Sequence, residues 1–200
     1  MNNNHNALLK ALEFIENIDV LKKTYRQCLI MSGDRQESTA EHSFSLAMSV
    51  LVLAQFSEQP IDIVKTLKMA LFHDLAEAIL GDTFHYNKDS ATSNEPQLTE
   101  EEALHKLLTP IVDTELAYEI LSLWKEFEFS KTPEAVFLRG LDRFLPMYHN
   151  YKTQGHSWVK HGITQEMALS KNAHIQQSSE LLWKFTQNML NESKKQGWIN

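Results

Sequence analysis

Apolar side chains recur at helical intervals along almost the whole chain, and this periodicity is the strongest restriction on its fold. The first such segment spans about residues 7–18, with an apolar face formed by Leu8, Leu9, Leu12, Phe14 and Ile15. No segment alternates Val or Ile with polar residues over a useful length, so no pair of strands is predicted. Because amphipathic helices bury their apolar faces against one another, the sequence predicts an all-α fold.

Capping residues and prolines divide this pattern into separate helices. Ser38 and Glu41 form a capping box, which predicts a helix from there to about Phe56. Proline fits the first turn of a helix, so Pro60 predicts the start of the next one, which ends near Gly81. Four more helices are predicted: one from Thr99, one over about 113–127, one from Thr132 to about Tyr151 and one over about 164–191.

Two segments lack the helical pattern. Residues 25–37 contain Ser-Gly-Asp and predict a loop, and residues 82–98 mix Asp, Asn, Ser and Pro without a period and predict a mobile loop. No repeat or linker divides the chain. The sequence therefore predicts one helical domain over residues 1–200. Aromatic residues on helical spacings are expected to form its core: Phe44, Trp124, Phe127, Phe137, Phe144, Tyr148 and Trp183.

Composition and charge exclude several classes of protein. The chain carries a formal net charge of −7, which does not supply the basic surface of a nucleic-acid-binding protein. No apolar run approaches the ~20 residues needed to cross a membrane, and residues 1–6 lack the features of a signal peptide. Cys28 is the only cysteine, so no internal disulfide can form. We expect a cytoplasmic protein that binds neither a nucleic acid polymer nor a membrane.

His73 and Asp74 are adjacent within a predicted apolar helix, Lys68 to Glu77. Charged side chains are rarely buried without a partner, and a partnered site is a candidate for chemistry. A metal ion is such a partner, because it accepts a neutral imidazole nitrogen and a carboxylate oxygen together. Glu77 follows about one turn later on the same helical face.

Two further residues complete a mixed set of nitrogen and oxygen ligands. His42 lies in the first turn of its predicted helix, and Asp142 lies beside a predicted buried stripe. Two imidazoles and two carboxylates suit Mn²⁺, Co²⁺, Fe²⁺, Ni²⁺ or Zn²⁺ better than Ca²⁺. Each residue taken alone has a structural alternative, such as a helix cap for His42 or an ion pair of Asp142 with Arg139 or Arg143.

The order of these residues resembles the HD-domain metal-dependent phosphohydrolases. The resemblance covers roughly residues 20–150 and rests on four elements: Arg-Gln-Glu-Ser-Thr-Ala-Glu-His-Ser at 35–43, His-Asp-Leu-Ala-Glu at 73–77, Ile-Leu-Gly-Asp at 79–82 and Leu-Asp at 141–142. Within that superfamily the elements are most similar to the 5′-deoxynucleotidase branch, whose members remove phosphate from deoxyribonucleoside 5′-monophosphates. The resemblance implies an HD-type helical bundle and a phosphohydrolase of nucleotide metabolism.

The resemblance also implies a role for each candidate residue. One divalent ion would be bound by His42, His73, Asp74 and Asp142. Glu77 would be the general acid or base, and Asp82 would contact the sugar hydroxyl. Arg26 and Arg35 are both candidates for binding the phosphate, and the sequence does not choose between them.

Some HD proteins bind a second metal through additional histidines. His85 and His105 lie in the corresponding interval, but His85 falls in the predicted loop and His105 shares a helix with three glutamates. One ion is therefore favoured. The resemblance further implies a homodimer, for which the apolar C-terminal helix over about 164–191 is a possible surface.

Two alternative functions stay open. The first is a phosphodiesterase or nucleoside triphosphatase of the same superfamily, although a triphosphatase requires more basic residues than this acidic chain supplies near its motifs. The second is a non-catalytic sensor of metal or nucleotide, for which Glu77 would have no use.

Overall fold

Helices dominate the residues that the computed structural model describes, 3–82 and 98–200. The helices are α1 (Asn3–Ile18), α2 (Thr39–Leu53), α3 (Ile63–Phe72), α4 (Glu77–Leu80), α5 (Glu100–Leu108), α6 (Glu115–Phe129), α7 (Pro133–Lys152), α8 (His156–Lys160), α9 (Gln165–Lys171), α10 (Ile175–Ser178) and α11 (Glu180–Lys195). The predicted helical fold is confirmed. The loop predicted over residues 82–98 lies, except for its two end residues, outside the described residues.

Most of the predicted helix starts are confirmed by their caps, but Pro60 is not in the first turn of α3, which begins at Ile63 and is capped by Asp62. Ser38 Oγ accepts a hydrogen bond from the backbone N–H of Glu41, and the Glu41 carboxylate accepts one from the backbone N–H of Ser38 at 3.0 Å. Thr99 and Glu102 make the same reciprocal pair at the start of α5. These bonds satisfy N–H groups that have no partner within the first turn of a helix.

The segment 25–37 was predicted as a loop, and that prediction is wrong. It contains strand β1 (Tyr25–Leu29), which pairs in antiparallel register with β2 (Gln36–Ser38). Ser157 Oγ donates to the Gln27 carbonyl at 2.8 Å, and His149 Nδ1 lies 3.0 Å from the Leu29 carbonyl. Because side chains of α7 and α8 bind the backbone of β1, the hairpin does not require the apolar alternation that would have revealed it.

The helix predicted from Pro60 to Gly81 is interrupted at its centre. Helix α3 ends at Phe72, and the hydrogen bonds after it tighten to three-residue spacing, as from the Glu77 N–H to the Asp74 carbonyl at 3.1 Å. Side chains three residues apart eclipse in this geometry. Asp74 and Glu77 therefore project in the same direction.

The helix predicted over 164–191 is divided into α9, α10 and α11. Ser179 adopts an extended backbone conformation and caps α11, since its hydroxyl accepts a hydrogen bond from the Leu182 N–H. Helix α10 packs closely on α7, where a Cβ atom at Gly140 would lie 1.9 Å from Ser178 Oγ. The absence of a side chain at Gly140 permits this contact.

Three clusters of buried side chains form the interior, and α7 contributes to two of them. Most of the predicted aromatic core is buried as expected: Trp124, Phe127, Phe137, Phe144 and Trp183, with Tyr148 partly buried. The prediction for Phe44 is wrong, because this side chain is 67% exposed. Leu46 and Val50 form the buried stripe of α2, and Phe44 lies about 200° around the helix from Leu46. No helix in the described ranges is long and apolar enough to span a membrane.

Candidate active site

The four predicted metal ligands converge from three parts of the fold. His42 comes from the first turn of α2, His73 and Asp74 from the turn after α3, and Asp142 from the middle of α7. His42 Nε2 lies 3.0 Å from Asp142 Oδ1, and His73 Nε2 lies 3.0 Å from Asp74 Oδ2 and 3.9 Å from Asp142 Oδ1. The ligand atoms of His42, His73 and Asp142 all lie within 4.8 Å of one another.

His73 has the tautomer that a metal ligand needs. Its Nδ1 lies 2.9 Å from the carbonyl of Ala70, which can only accept, so Nδ1 carries the proton. Among the described residues the buried Nε2 makes no hydrogen bond, and the carboxylate oxygens of Asp74 and Asp142 lie near it. A lone pair surrounded by carboxylates requires a cation, either a proton or a metal ion, so this donor set fits a divalent ion.

The electrostatics of the ligands are those of a cation site. Burial by itself raises the pKa of Asp74, but the charges of His73 and Arg26 outweigh this effect and lower it below its usual range. Burial likewise raises the pKa of Asp142, and the hydrogen bond with His42 and the charge of Arg143 lower it well below the usual value. Burial lowers the pKa of His73, but the interactions with Asp74 and Asp142 together outweigh it and raise the pKa to about 9. The site thus contains two carboxylates that attract positive charge.

Glu77 lies next to this cluster and is held by a hydroxyl group. Thr39 Oγ1 donates a hydrogen bond to Glu77 Oε2 at 2.6 Å. Burial raises the pKa of Glu77 to about 8, and the negative charge of Asp74 adds to the effect. A carboxyl group with such a pKa retains its proton at neutral pH and can donate it to a leaving oxygen.

The structure separates the two candidate phosphate-binding arginines. Arg26 is 14% exposed and lines the cavity beside the ligands, where its Nη1 lies 3.1 Å from Asp74 Oδ2 and 3.9 Å from Asp82 Oδ1. Arg35 is 53% exposed, and its guanidinium makes two bonds to the carboxylate of Glu41, at 2.8 and 2.5 Å. Only Arg26 of this pair reaches the cavity.

Asp82 reaches the same cavity because the chain reverses after α4. Gly81 has a φ of 77°, a conformation that residues with a side chain rarely adopt, and it ends that helix. The Asp82 side chain is consequently turned towards Arg26, and burial raises the pKa of its carboxyl group.

The alternative ion pairs of Asp142 are weak. Arg139 donates to the backbone carbonyls of Phe127 and Ser130, where it closes the C-terminal end of α6. Arg143 Nε lies 3.8 Å from Asp142 Oδ2 and lines the cavity. The nearest partner of the Asp142 carboxylate is therefore His42, and His73 and Arg143 lie at similar, longer distances from it.

Of the two histidines considered for a second metal, His105 does not join this cluster. The His105 side chain is 55% exposed and lies 3.8 Å from Glu101, and His85 lies outside the described residues. Beyond the ligands, the cavity extends between β1 and the end of α7, where its lining includes Asn150, Ser157, Trp158 and Asn172.

Two residues at the site were not singled out from the sequence. Thr39 positions Glu77, and Glu37 lies behind His42 with its Oε2 3.6 Å from His42 Nδ1. Both belong to the 35–43 element that carried the family resemblance. Their position within that element could have identified them as site residues. The capping box, however, already explained the presence of Ser38 and Thr39 as the start of a helix.

The fold and this arrangement can be compared with known proteins. The family model described as "HD domain" matches residues 18–183, which is most of the chain. The chain belongs to the HD-domain family. The predicted resemblance is confirmed.

Named relatives agree with the branch that the motifs indicated. The 5′-deoxynucleotidase HDDC2 of Dictyostelium discoideum is 31% identical over 153 residues, covering 72% of this chain and 79% of that protein. The zebrafish protein of the same name is 31% identical over 132 residues, covering 66% of this chain and 63% of that protein, less than two thirds of its length.

A solved structure resembles the whole fold. The crystal structure of a predicted metal-dependent phosphohydrolase from Magnetospirillum magnetotacticum MS-1 has a TM-score of 0.85 and 29% sequence identity. The superposition covers 97% of this chain and 98% of that one. The similarity therefore includes α8 to α11 as well as the part that carries the motifs.

Proposed function

We propose that this protein is a metal-dependent phosphomonoesterase that removes phosphate from nucleoside 5′-monophosphates, with deoxyribonucleotides preferred. The main support is the convergence of four candidate metal ligands, three of which line one cavity together with Arg26 and Glu77. The names of its relatives support the same reaction and substrate class.

The proposed metal site consists of His42, His73, Asp74 and Asp142. When bound, a divalent ion supplies Lewis-acid catalysis and neutralises phosphate charge. Arg26 projects into the cavity beside Asp74 and can donate two parallel hydrogen bonds to phosphate oxygens. Arg26 therefore binds and orients the phosphoryl group.

Glu77 supplies the proton that the leaving group needs. As water attacks phosphorus and the bond from phosphorus to the 5′ oxygen breaks, the Glu77 carboxyl proton passes to that oxygen and a nucleoside leaves. The proton that the attacking water gives up restores the Glu77 carboxyl group. The Thr39 hydroxyl bond holds the carboxyl group in place for this transfer. Asp82, at the same cavity, is positioned to accept a hydrogen bond from a sugar hydroxyl.

The alternative substrates receive less support. Among the described residues that line the cavity, the basic side chains are Arg26, Arg139 and Arg143, and Arg139 is bound to backbone carbonyls. This is little positive charge for a triphosphate. A non-catalytic sensor would not need a protonated carboxyl group at Glu77, because it transfers no proton.

The proposal is tested by measuring phosphate release from a panel of nucleoside and deoxynucleoside monophosphates with Co²⁺ or Mn²⁺ added. His73→Ala should lose bound metal and activity together, whereas His105→Ala, which changes an exposed histidine, should retain both. Turnover by His73→Ala at the wild-type rate would contradict the proposal. Release of pyrophosphate or triphosphate from a nucleoside triphosphate would favour the alternative enzyme.

We also propose one divalent ion per chain, of the Mn, Co, Fe, Ni or Zn type. The described residues bring together one set of histidine and aspartate ligands at the cavity. Elemental analysis should give a ratio near one, and a reproducible ratio of two would contradict it.

A homodimer is proposed on the basis of an exposed apolar stripe. The C-terminal helix α11 buries much of its apolar face, whereas α2 exposes Phe44, Met48, Leu51 and Val52 at helical spacing. Sedimentation should give a dimer for the native chain and a monomer for Phe44→Ser, and a monomeric native chain would exclude the dimer.

Two further proposals concern the whole chain. Residues 1–200 would form one HD domain, because Phe72 packs against two of the buried clusters and Tyr148 also packs against two.

A cytoplasmic location in a reducing compartment is supported by Cys28, which is a buried free thiol.

A further inference from the structure

A buried carboxylate lies behind the metal ligands and is not part of the cavity lining. Glu37 is 2% exposed, and buried glutamates are rare unless they are paired. A carboxyl group buried to this extent needs hydrogen-bond donors on its buried faces.

Two buried donors point at the same oxygen of this carboxylate. His42 Nδ1 lies 3.6 Å from Glu37 Oε2, and Arg26 Nε lies 3.7 Å from it. Neither nitrogen has a hydrogen-bond partner within the part of the chain that the structure describes. Because hydrogen bonds between nitrogen and oxygen form at about 2.7–3.2 Å, a displacement of a few tenths of an ångström would satisfy both donors.

We propose that Glu37 is a positioning residue for the metal site. It accepts a hydrogen bond from His42 Nδ1–H, which selects the tautomer whose Nε2 lone pair is free for the ion. It also holds Nε of Arg26, so that a metal ligand and the phosphate-binding residue share one support. This inference rests on the proposed function for the role of Arg26, and on the donor set alone for the role of His42.

The hairpin explains how Glu37 reaches this position. Glu37 lies at the centre of β2, and its neighbour Gln36 uses its side chain to donate to the Arg26 carbonyl at 2.7 Å. The backbone N–H of Thr39 donates to the carbonyl of Thr24 at 2.9 Å, which attaches the start of α2 to the start of β1. The carboxylate is thus carried on a short, hydrogen-bonded element rather than on a free loop.

A second metal site is the main alternative for this cluster, because ligand atoms of Cys28, Glu37 and His149 lie within 4.8 Å of one another. The His149 nitrogen that faces Glu37 is Nδ1, 3.8 Å from Oε1, and this nitrogen lies 3.0 Å from the Leu29 carbonyl, to which it must donate its proton. Without an ion, burial and the charge of Glu37 raise the pKa of Cys28 to about 12, so the thiol carries a proton that it can donate. The thiol donates to Glu37 Oε2 at 3.4 Å, which makes Cys28 a further support for Glu37.

The test compares metal affinity in two glutamine variants of neighbouring glutamates. Glu37→Gln retains the size of the side chain but removes its charge, and Glu41→Gln does the same to an exposed glutamate of the same element. In calorimetric titrations of chelator-treated protein with Mn²⁺, Glu37→Gln should bind about 10- to 100-fold more weakly than wild type. Glu41→Gln should bind as wild type does, and wild-type affinity in Glu37→Gln would overturn the proposal.

A measurement on the wild-type protein covers the case in which Glu37→Gln does not fold. In the Zn²⁺-loaded protein, the Nδ1 proton of His42 should give a downfield, slowly exchanging NMR signal, as expected for a hydrogen bond to a carboxylate. Absence of that signal would overturn the proposal. So would two Zn²⁺ ions per chain with one of them lost in Cys28→Ser, because the cluster would then be a metal site.

These outcomes are separate from those of the nucleotidase proposal, because both readouts are made without substrate. A wild-type protein that releases no phosphate from any monophosphate would refute the enzyme and leave the metal titrations interpretable.

Discussion

His73 gives the site its chemistry at the scale of single residues. One ring nitrogen is committed to the carbonyl of Ala70, and the other is left without a hydrogen bond among carboxylate oxygens. The backbone therefore decides the tautomer, and the side chains around it decide that a cation is needed. The same arrangement is proposed for His42, whose Nδ1 proton would be bound by the Glu37 carboxylate rather than by a backbone carbonyl, leaving Nε2 for the ion.

Replacing each candidate phosphate-binding arginine by lysine, which preserves the charge, should affect the activity differently at the two positions. Arg26→Lys loses the planar pair of donors, so kcat/KM for deoxynucleoside monophosphates should fall about 10- to 100-fold, the range for a lost charge-assisted bond. Arg35→Lys, which alters an exposed partner of Glu41, should stay within about twofold of wild type. Steady-state kinetics at saturating Mn²⁺ measure both, and a larger loss in Arg35→Lys would reverse the assignment.

Glu77 should make stability depend on pH in a defined direction. Its folded-state pKa of about 8 lies above the ordinary 4.5, so between these values the folded protein keeps a proton that the unfolded chain has lost. This contribution is fully present below pH 4.5 and is lost as pH rises through 8. In chelator-treated protein, the stability advantage of wild type over Glu77→Gln should therefore shrink from pH 5 to pH 8 in urea titrations.

The control for this measurement is Glu41→Gln. The bond to Arg35 lowers the pKa of Glu41 to about 2, outside the tested range, so its difference from wild type should be constant between pH 5 and pH 8. A pH-independent difference for Glu77→Gln as well would show that its proton is not held in the folded state.

At the scale of elements, α7 organises the site because it carries Asp142 and contacts most of the surrounding helices. Its contact with α10 depends on Gly140, since an added Cβ would lie 1.9 Å from Ser178 Oγ. Ser178 is buried and its hydroxyl donates to the Ile175 carbonyl, so it cannot simply rotate into solvent. The approach of these two helices is therefore sterically specified.

Gly140→Ala should consequently destabilise the protein by about 1–3 kcal/mol, as expected for overpacking. Ser178→Gly removes both atoms that the new methyl group would meet. In a double-mutant cycle followed by urea denaturation, the pair should be more stable than the sum of the two single changes predicts. Simple additivity would contradict a steric clash between these two positions.

At the scale of the whole molecule, the proposed ion joins α2, the turn after α3, and α7. An ion that binds the folded chain and not the unfolded one stabilises it by about 2.7 kcal/mol when its concentration is 100 times Kd. The melting temperature should therefore rise when Mn²⁺ is added to chelator-treated protein. His73→Ala should lose this response and His105→Ala should keep it; an equal response in all three proteins would contradict a site at His73.

The amino-acid sequence by itself determined the helical class, the capped helix starts and the order of the candidate ligands. These features are local: a capping box joins residues three positions apart, and an apolar stripe needs only a few turns of helix. The adjacent His73 and Asp74 were conspicuous for the same reason, because their misfit with an apolar helix is visible within one short segment.

Only the tertiary structure placed Arg26 rather than Arg35 at the cavity, formed the hairpin, divided the C-terminal helix and brought Glu37 behind His42. Each of these depends on groups that are distant in sequence, such as the bonds from α7 and α8 to the backbone of β1. His42 and Asp142 are 100 positions apart in the sequence, and yet their ligand atoms lie only 3.0 Å from each other. Local patterns contain no information on such distances, which are set by the packing of complete helices against one another.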